Sequence, residues 1–161
     1  MKTIEIAAKI QIFDDIELSK EQKNVIEAAK KATSGSYAPY SHFHVGAACL
    51  LDNGEIISGS NQENAAYPSG ICAERTTLFY AMAKYPNAKV KKLAVVACDD
   101  NGVMTEKISA PCGACRQVIY ETECRSGGPI EIILPTANDG NYIFKSTKDL
   151  LPFGFGPDFL I

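Results

Sequence analysis

Cysteines and a glutamate in two short fragments are the residues of this sequence best suited to chemistry. The fragments are Cys72-Ala73-Glu74-Arg75 and Pro111-Cys112-Gly113-Ala114-Cys115-Arg116. Residues three apart share one face of a helix, so Cys112 and Cys115 can bind the same ion. Each fragment lies at a predicted helix N-terminus, where free N–H groups and the helix dipole favour a thiolate over a thiol.

Together the two fragments predict a catalytic zinc site. Three thiolates, from Cys72, Cys112 and Cys115, leave one position of a tetrahedral zinc open to water. Glu74 lies two residues from a predicted ligand, so it can stand beside the metal without binding it. Zinc lowers the pKa of a bound water to about 7, and a neighbouring carboxylate can take the released proton. Hydrolytic deamination of a ring carbon needs this pair, because the ring nitrogen and the leaving amine must both be protonated.

Two other interpretations apply to an isolated Cys-x-x-Cys. The motif alone is as typical of a redox dithiol, or of half a structural zinc knot completed by Cys98 or Cys124, as it is of a catalytic zinc site. The redox interpretation leaves residues 72–74 unexplained, and the knot gives Glu74 no task, so both fragments together favour catalysis. Cys124 matches no ligand position. Cys49 and Cys98 fall in apolar runs and are interpreted as small buried hydrophobic residues.

Composition limits the class of substrate. The chain has 161 residues, of which 46% are hydrophobic, enough for the core of one domain. A net charge of −3 does not supply the basic surface that a nucleic acid polymer requires, so we expect a small diffusible substrate. The sequence has neither a signal-peptide pattern nor an apolar run of about 18 residues, so we expect no membrane segment. We therefore expect a cytoplasmic chain with reduced thiols.

Hydrophobic periodicity predicts the elements that position these residues. Alternation over residues 3–12 predicts a half-buried strand. Ser19 and Gln22 form a capping box at the start of a helix. Asn53-Gly54 predicts a hairpin turn between strands over 44–51 and 55–60. The other predicted elements are helices near 72–84, 111–123 and 147–151, and strands over 91–97, 130–134 and 142–144. Interleaved strands and helices predict one α/β domain around a mixed sheet.

On these residues the chain resembles the small homotetrameric cytidine deaminases of the cytidine/deoxycytidylate deaminase superfamily. Zinc deaminases have His/Cys/Cys or Cys₃ ligands, a glutamate that is not a ligand and a P-C-x-x-C motif. The small tetrameric enzymes have Cys-Ala-Glu where related deaminases have histidine. Besides the metal fragments, the resemblance rests on Tyr37-Ala38-Pro39-Tyr40-Ser41-His42-Phe43, Val45-Gly46-Ala47-Ala48, Asn61-Gln62-Glu63-Asn64-Ala65-Ala66-Tyr67-Pro68, Leu150-Leu151-Pro152 and Phe155-Gly156-Pro157.

The resemblance implies a fold and an activity. The fold is a three-layer α/β/α domain over residues 18–161 with a mixed five-stranded core sheet, preceded by a strand-bearing extension over residues 1–17. The activity is hydrolytic deamination of cytidine and deoxycytidine to uridine and deoxyuridine, with release of ammonia, in pyrimidine salvage. It would use one zinc ion per chain and Glu74 as the proton shuttle. A deaminase of a related cytosine compound, such as blasticidin S, and a structural zinc module that binds partners remain as alternatives.

The resemblance also implies substrate-binding residues within a homotetramer whose sites are completed across subunits. Phe43 stacks near the pyrimidine, and Asn61 and Glu63 bind the ribose 3′-hydroxyl. Residues expected to reach a neighbouring subunit's site are Tyr40, Tyr67 and Phe155. From composition alone, core packing for Phe43 and a solvated loop for Asn61 and Glu63 are the alternatives. A carboxylate at the sugar disfavours phosphorylated substrates.

Two arginines follow ligand cysteines. Three thiolates on Zn²⁺ leave a net charge of −1, which an arginine hydrogen bond to sulfur can offset. The resemblance assigns that task to Arg75. For Arg116, a surface or interface position is an equal alternative. His42 and His44 are expected to have local structural roles, since the chemistry needs no histidine.

Overall fold

Six strands form one mixed sheet in the computed structural model, which describes residues 1–160. In chain order they are β1 (Ile10–Phe13), β2 (His44–Leu51), β3 (Ile56–Ser60), β4 (Val90–Cys98), β5 (Glu131–Pro135) and β6 (Asn141–Phe144). Across the sheet the order is β1-β6-β5-β4-β2-β3. β4 and β5 run parallel, and the other neighbouring strands run antiparallel.

Helices cover both faces of the sheet, which confirms the three-layer α/β/α prediction. They are α1 (Lys20–Ala32), α2 (Ala73–Lys84) and α3 (Gly113–Ser126). On one face, α1 packs against β2 and β4; on the other, α2 packs against β2, β3 and α3. β2, which lies between β4 and β3, is buried on both sides because its residues alternate between two apolar clusters. Cys49 belongs to the cluster on the α2–α3 side, and Ala48 to the cluster on the α1 side.

Gly46 sets how closely α1 approaches the sheet. A Cβ at this position would lie 2.1 Å from the carbonyl oxygen of Ala29 and 2.7 Å from the amide nitrogen of Thr33. No side chain fits at such distances, so β2 and the end of α1 are in direct main-chain contact at this glycine.

Two local signals of the sequence are confirmed. The Ser19 hydroxyl accepts a hydrogen bond from the Gln22 amide, and the Gln22 side chain accepts one from the Ser19 amide, which completes the capping box. Gly54 has φ 87° in the turn between β2 and β3, as the Asn-Gly prediction requires. The helix expected near residues 147–151 is a single 3₁₀ turn, Thr147–Asp149.

The N-terminal prediction is wrong over most of its length. A strand was predicted over residues 3–12, but β1 contains Ile10–Phe13 alone. β1 pairs with β6, which has four residues, Asn141–Phe144, and all four are paired with residues of β1. Residues 3–9 therefore have no strand beside them. β1 is also the strand that makes the sheet six-stranded rather than the expected five.

Among residues 1–160, no helix is both long and apolar enough to cross a bilayer.

Candidate active site at two helix N-termini

Three sulfur atoms meet where the N-termini of α2 and α3 converge. Cys72 is the N-cap of α2, Cys112 is the N-cap of α3, and Cys115 lies in the first turn of α3. Their Sγ atoms all lie within 4.8 Å of one another, with Cys72 and Cys112 4.0 Å apart. Tetrahedral zinc with Zn–S bonds of about 2.3 Å requires sulfurs about 3.8 Å apart. The three residues thus fit a zinc ion.

The cluster holds three cysteines, not four. Within residues 1–160, neither Cys98 nor Cys124 is part of it. Cys98 is buried in β4, and Cys124 is exposed near the end of α3. The arrangement leaves an open position on a tetrahedral metal, as in catalytic sites. It argues against the structural zinc knot, which needs a fourth ligand.

The thiols interact strongly with one another. A hydrogen bond from the Cys115 thiol, together with the Arg75 guanidinium, whose Nη2 lies 3.8 Å from the Cys72 Sγ, lowers the pKa of Cys72 to about 5. Conversely, the neighbouring Cys72 and burial raise the pKa of Cys115. Cys72 thus readily becomes a thiolate, whereas Cys115 holds its proton more tightly and would lose it to solvent when a metal cation binds its sulfur.

Glu74 lies in the first turn of α2 and is only 4% exposed. Burial raises the pKa of its carboxyl group. A carboxyl group with a raised pKa exchanges its proton closer to neutral pH than a solvated glutamate does. Glu74 therefore combines a position beside the cluster with the protonation behaviour of a general acid–base.

A cavity of about 470 Å³ opens beside the sulfur cluster, a volume typical of small-molecule sites. Its lining includes Cys72 and Arg75. Four of the predicted substrate-binding residues also line it, namely Tyr40, Asn61, Glu63 and Tyr67. The other two described residues predicted to bind substrate, Phe43 and Phe155, are not in this lining.

Glu63 is held in the cavity wall by main-chain donors. Its carboxylate accepts hydrogen bonds from the amides of Tyr40, at 3.0 Å, and Ser41, at 3.3 Å. The Ser41 hydroxyl and these amides lower the pKa of Glu63, so the group keeps its negative charge. Glu63 is half-buried, and its carboxylate can still accept a hydrogen bond from a ligand hydroxyl.

Asn61 has less hydrogen-bonding capacity left. Its Oδ1 accepts from the Val45 amide at 2.9 Å and the Ser36 hydroxyl at 2.7 Å, and its Nδ2 donates to the Phe43 carbonyl at 2.9 Å. An amide oxygen has two lone pairs and an amide nitrogen two donors. One N–H of Asn61 therefore remains for a ligand, while Glu63 supplies an acceptor.

Phe43 lies between two histidines that share one carboxylate. The Asp100 carboxylate bonds His42 Nδ1 at 3.1 Å and His44 Nε2 at 2.9 Å. His42 also has φ 56°, a left-handed conformation that costs energy in a residue with a Cβ. The local structural roles expected for His42 and His44 agree with this geometry. Asp100 has no counterpart in the sequence prediction.

The two arginines that follow ligand cysteines make different contacts. Arg75 donates to the Cys72 sulfur, and its Nε is a buried donor that finds no acceptor among the described residues. Arg116 instead donates from Nε to the Pro111 carbonyl at 2.8 Å and from Nη1 to the Leu150 carbonyl at 3.1 Å. Arg116 thus ties the loop before Cys112 to the C-terminal tail.

Gln117 anchors Phe155, a contact that the sequence did not predict. Its Nε2 donates to the Phe155 carbonyl at 2.7 Å, and its Oε1 accepts from the Phe155 amide at 3.3 Å. The Phe155 ring stacks on Phe159, with ring centroids 5.5 Å apart, and is 57% exposed. The tail is therefore fixed on α3 while the ring faces outward.

Comparisons with known proteins agree with the zinc site that the three cysteines indicate. Residues 19–126 match the family model described as the cytidine and deoxycytidylate deaminase zinc-binding region. Cytidine deaminase of Sporosarcina psychrophila is 40% identical over 136 residues, which cover 84% of this chain and 92% of that protein. Cytidine deaminase of Mycobacterium tuberculosis strain H37Rv is 36% identical over 130 residues, which cover 81% of this chain and 86% of that protein.

A solved structure shows the same fold. Cytidine deaminase from Burkholderia pseudomallei superposes with a TM-score of 0.70 at 38% identity, covering 86% of this chain and 100% of that one. The residues matched by the family model, 19–126, include both helices that carry the cysteines. The chain belongs to the cytidine and deoxycytidylate deaminase family.

Proposed function

We propose that this protein is a zinc-dependent deaminase that converts cytidine and deoxycytidine to uridine and deoxyuridine, with release of ammonia. The observation that carries the proposal is the cluster of Cys72, Cys112 and Cys115 with buried Glu74 beside it, next to a cavity of about 470 Å³. The relatives described as cytidine deaminases support the choice of substrate.

Glu74 carries the protons of the reaction. The three cysteines would hold one Zn²⁺ per chain, and the ion would supply Lewis acidity and lower the pKa of the attacking water to about 7. The Glu74 carboxylate takes one proton from the attacking water and gives it to N3 of the pyrimidine as the C4–O bond forms. It then transfers the proton of the new C4 hydroxyl to the amine, the C4–N bond breaks, and ammonia leaves as the C4 carbonyl forms.

Arg75 and Arg116 support the metal ligands in different ways. The Arg75 guanidinium donates to the Cys72 sulfur and offsets part of the negative charge of three thiolates. Arg116 holds the Pro111 carbonyl, so it fixes the residue before the ligand Cys112. Both arginines thus preserve the position and charge of the ligand sulfurs.

The cavity recognises the nucleoside through its sugar and its ring. Glu63 accepts a hydrogen bond from the 3′-hydroxyl and Asn61 donates its remaining N–H to it. Phe43, which lies outside the cavity lining of its own chain, stacks near the pyrimidine. Tyr40 and Tyr67, which line this cavity, also reach a neighbouring subunit's site. Because Glu63 keeps its charge, a phosphorylated sugar meets a like charge and is disfavoured.

The active protein is a cytoplasmic homotetramer that serves pyrimidine salvage. Exposed aromatic residues support assembly, since large uncovered apolar surfaces mark interfaces. Phe79 and Tyr80 are exposed on α2, and Phe155 is exposed on the tail. Phe155 completes a neighbour's site. Each chain has a catalytic domain over residues 18–161 and an N-terminal extension over residues 1–17.

A substrate panel tests the proposal. Zinc-loaded protein is assayed with cytidine, deoxycytidine, cytidine monophosphate and blasticidin S, and ammonia and the deaminated product are measured together. We expect equal amounts of both from the two nucleosides and little from the phosphorylated compound. Turnover of blasticidin S alone would identify the related enzyme instead. Bound zinc without any ammonia release would identify a structural zinc module.

A further inference from the structure

β1 is an edge strand of the sheet, and the chain segment that leads into it extends beyond the end of the neighbouring strand β6. β1 pairs with all four residues of β6, and the preceding residues 3–9 extend past the end of that strand. An edge strand presents a row of unpaired N–H and C=O groups, which is a template for pairing with another strand. Residues 3–9 also have the alternating pattern of a strand.

An exposed row of isoleucines accompanies this edge. Ile4, Ile6, Ile10 and Ile12 are 75%, 49%, 49% and 55% exposed. They occupy alternate positions, so in an extended chain they lie on one face. Four large apolar residues exposed along one segment indicate an interaction surface rather than a solvated tail.

One hydrogen bond shows which main-chain groups are free. The Lys9 amide donates to the Asp149 carboxylate of its own chain at 3.1 Å. In an antiparallel ladder, alternate residues direct their main-chain groups to opposite edges. If the segment continues β1 as an extended strand, its odd-numbered residues direct their main-chain groups to the β6 side, and its even-numbered residues, including Ile10, direct theirs to the free edge.

We propose that residues 4–10 pair antiparallel with the same residues of a second copy of this chain, about a two-fold axis at Ala7. In this register Ile4 lies opposite Ile10, and Glu5 lies opposite Lys9, each twice. A shift of the axis to residue 6 or 8 places Glu5 opposite Ala7 or Gln11 and loses both charge pairs. Opposite charges on facing positions stabilise a strand pair, and like charges destabilise it.

The second copy is the partner that this segment fits best. A two-fold interface uses the same surface on both chains, so the surface must be complementary to itself. The segment meets this requirement because Ile4 faces Ile10, Ile6 faces the apolar Ala8, and Glu5 faces Lys9. The proposal is independent of the deaminase activity, since none of these residues lines the cavity beside the cysteines.

An engineered disulfide tests the register. At the two-fold axis, residue 7 of each chain forms a non-hydrogen-bonded pair with Cα atoms about 4.5 Å apart, within the range of a disulfide. We expect Ala7→Cys protein, zinc-loaded and mildly oxidised, to form covalent dimers. The matched control is Ala8→Cys, whose two copies lie beyond the about 7 Å limit. The unaltered chain gives the background from its own exposed cysteines.

Charge reversal in the Ala7→Cys background makes the test specific. Glu5→Lys or Lys9→Glu alone places like charges opposite each other twice and should lower the yield of cross-linked dimer about tenfold. The two together restore opposite charges and should restore the yield. Equal cross-linking of Ala7→Cys and Ala8→Cys, or no recovery in the double reversal, would overturn the proposal. Cytidine turnover, measured on the same samples, reports the proposed function separately.

Discussion

Cys72 and Cys112 both occupy the N-cap position of their helices, but neither side chain makes a capping hydrogen bond. N-cap residues normally accept a hydrogen bond from the first turn, and replacing a good cap costs about 1 kcal/mol. Neither cysteine side chain makes that bond. Their sulfurs instead point to each other, 4.0 Å apart. Two helix ends thus give up a stabilising cap at the site where the proposed metal binds, a cost typical of functional residues.

Glu74→Gln separates proton transfer from metal binding. If Glu74 shuttles protons without being a ligand, the variant should keep one zinc per chain and its fold. Its turnover of cytidine should fall at least about a hundredfold, the low end for loss of a general acid–base. Zinc content, circular dichroism and ammonia release measure the three properties. Loss of zinc in this variant would make Glu74 a ligand and contradict the mechanism.

Ligand and non-ligand cysteines should differ in a matched pair of variants. Cys112→Ala removes one of three sulfurs and should release zinc and lower stability, because the ion ties α2 to α3. Cys98→Ala changes a buried residue of β4 outside the cluster and should keep its zinc and most activity. Metal analysis and thermal unfolding provide the readouts. An empty site in Cys98→Ala would revive the four-cysteine knot.

Residues in local motifs were predictable and residues in distant contacts were not. The spacing of Cys112 and Cys115, and of Cys72 and Glu74, can be read directly from the sequence, and regular helix geometry then places each pair close together. Asp100 meets His42 and His44 because β2 and β4 are paired, with His44 opposite Cys98. Gln117 meets Phe155 because the tail returns to α3. Such contacts follow from the assembled fold and leave no periodic signal.

Among the elements, the contact between α1 and β2 is the most sensitive to a small substitution. Gly46→Ala places a Cβ 2.1 Å from the Ala29 carbonyl oxygen, so α1 must move away from the sheet. Overpacking of this kind costs about 1–3 kcal/mol or more. Gly128→Ala is the control, since a Cβ there meets nothing within 4 Å. Urea unfolding should show a lower midpoint for Gly46→Ala and little change for Gly128→Ala.

Strand periodicity predicts the tendency to form a strand but not the neighbour that completes it. The runs that became β2, β3, β4, β5 and β6 find partners within the chain, and their predictions are confirmed to within one or two residues at each end. Residues 3–12 alternate equally well, yet only the end of this run is a strand. Its neighbour β6 is too short to pair with the rest. The number of strands, six rather than five, was missed because β1 joins the sheet through this short contact.

At the scale of the whole molecule, the tail raises the question of which active site it serves. Phe155 does not line the described cavity of its own chain. Gln117 holds its main chain against α3, and its ring is 57% exposed. A ring that is fixed and exposed differs from one that caps its own core. It suits a neighbouring site, where an aromatic lid excludes water and encloses the pyrimidine.

Mixing two inactive proteins tests whether Phe155 acts on a neighbour. Glu74→Gln chains keep Phe155, and Phe155→Ala chains keep Glu74, so each homogeneous protein lacks one part of every site. If the site is shared, hybrids formed by dissociation and reassembly contain some sites with an intact glutamate and a neighbour's phenylalanine. Ammonia release should then exceed that of both unmixed proteins treated in the same way. Mass spectrometry of the assemblies confirms that subunits have exchanged. If exchange is complete, Phe155→Ala alone is impaired and activity does not recover, then Phe155 serves the site of its own chain.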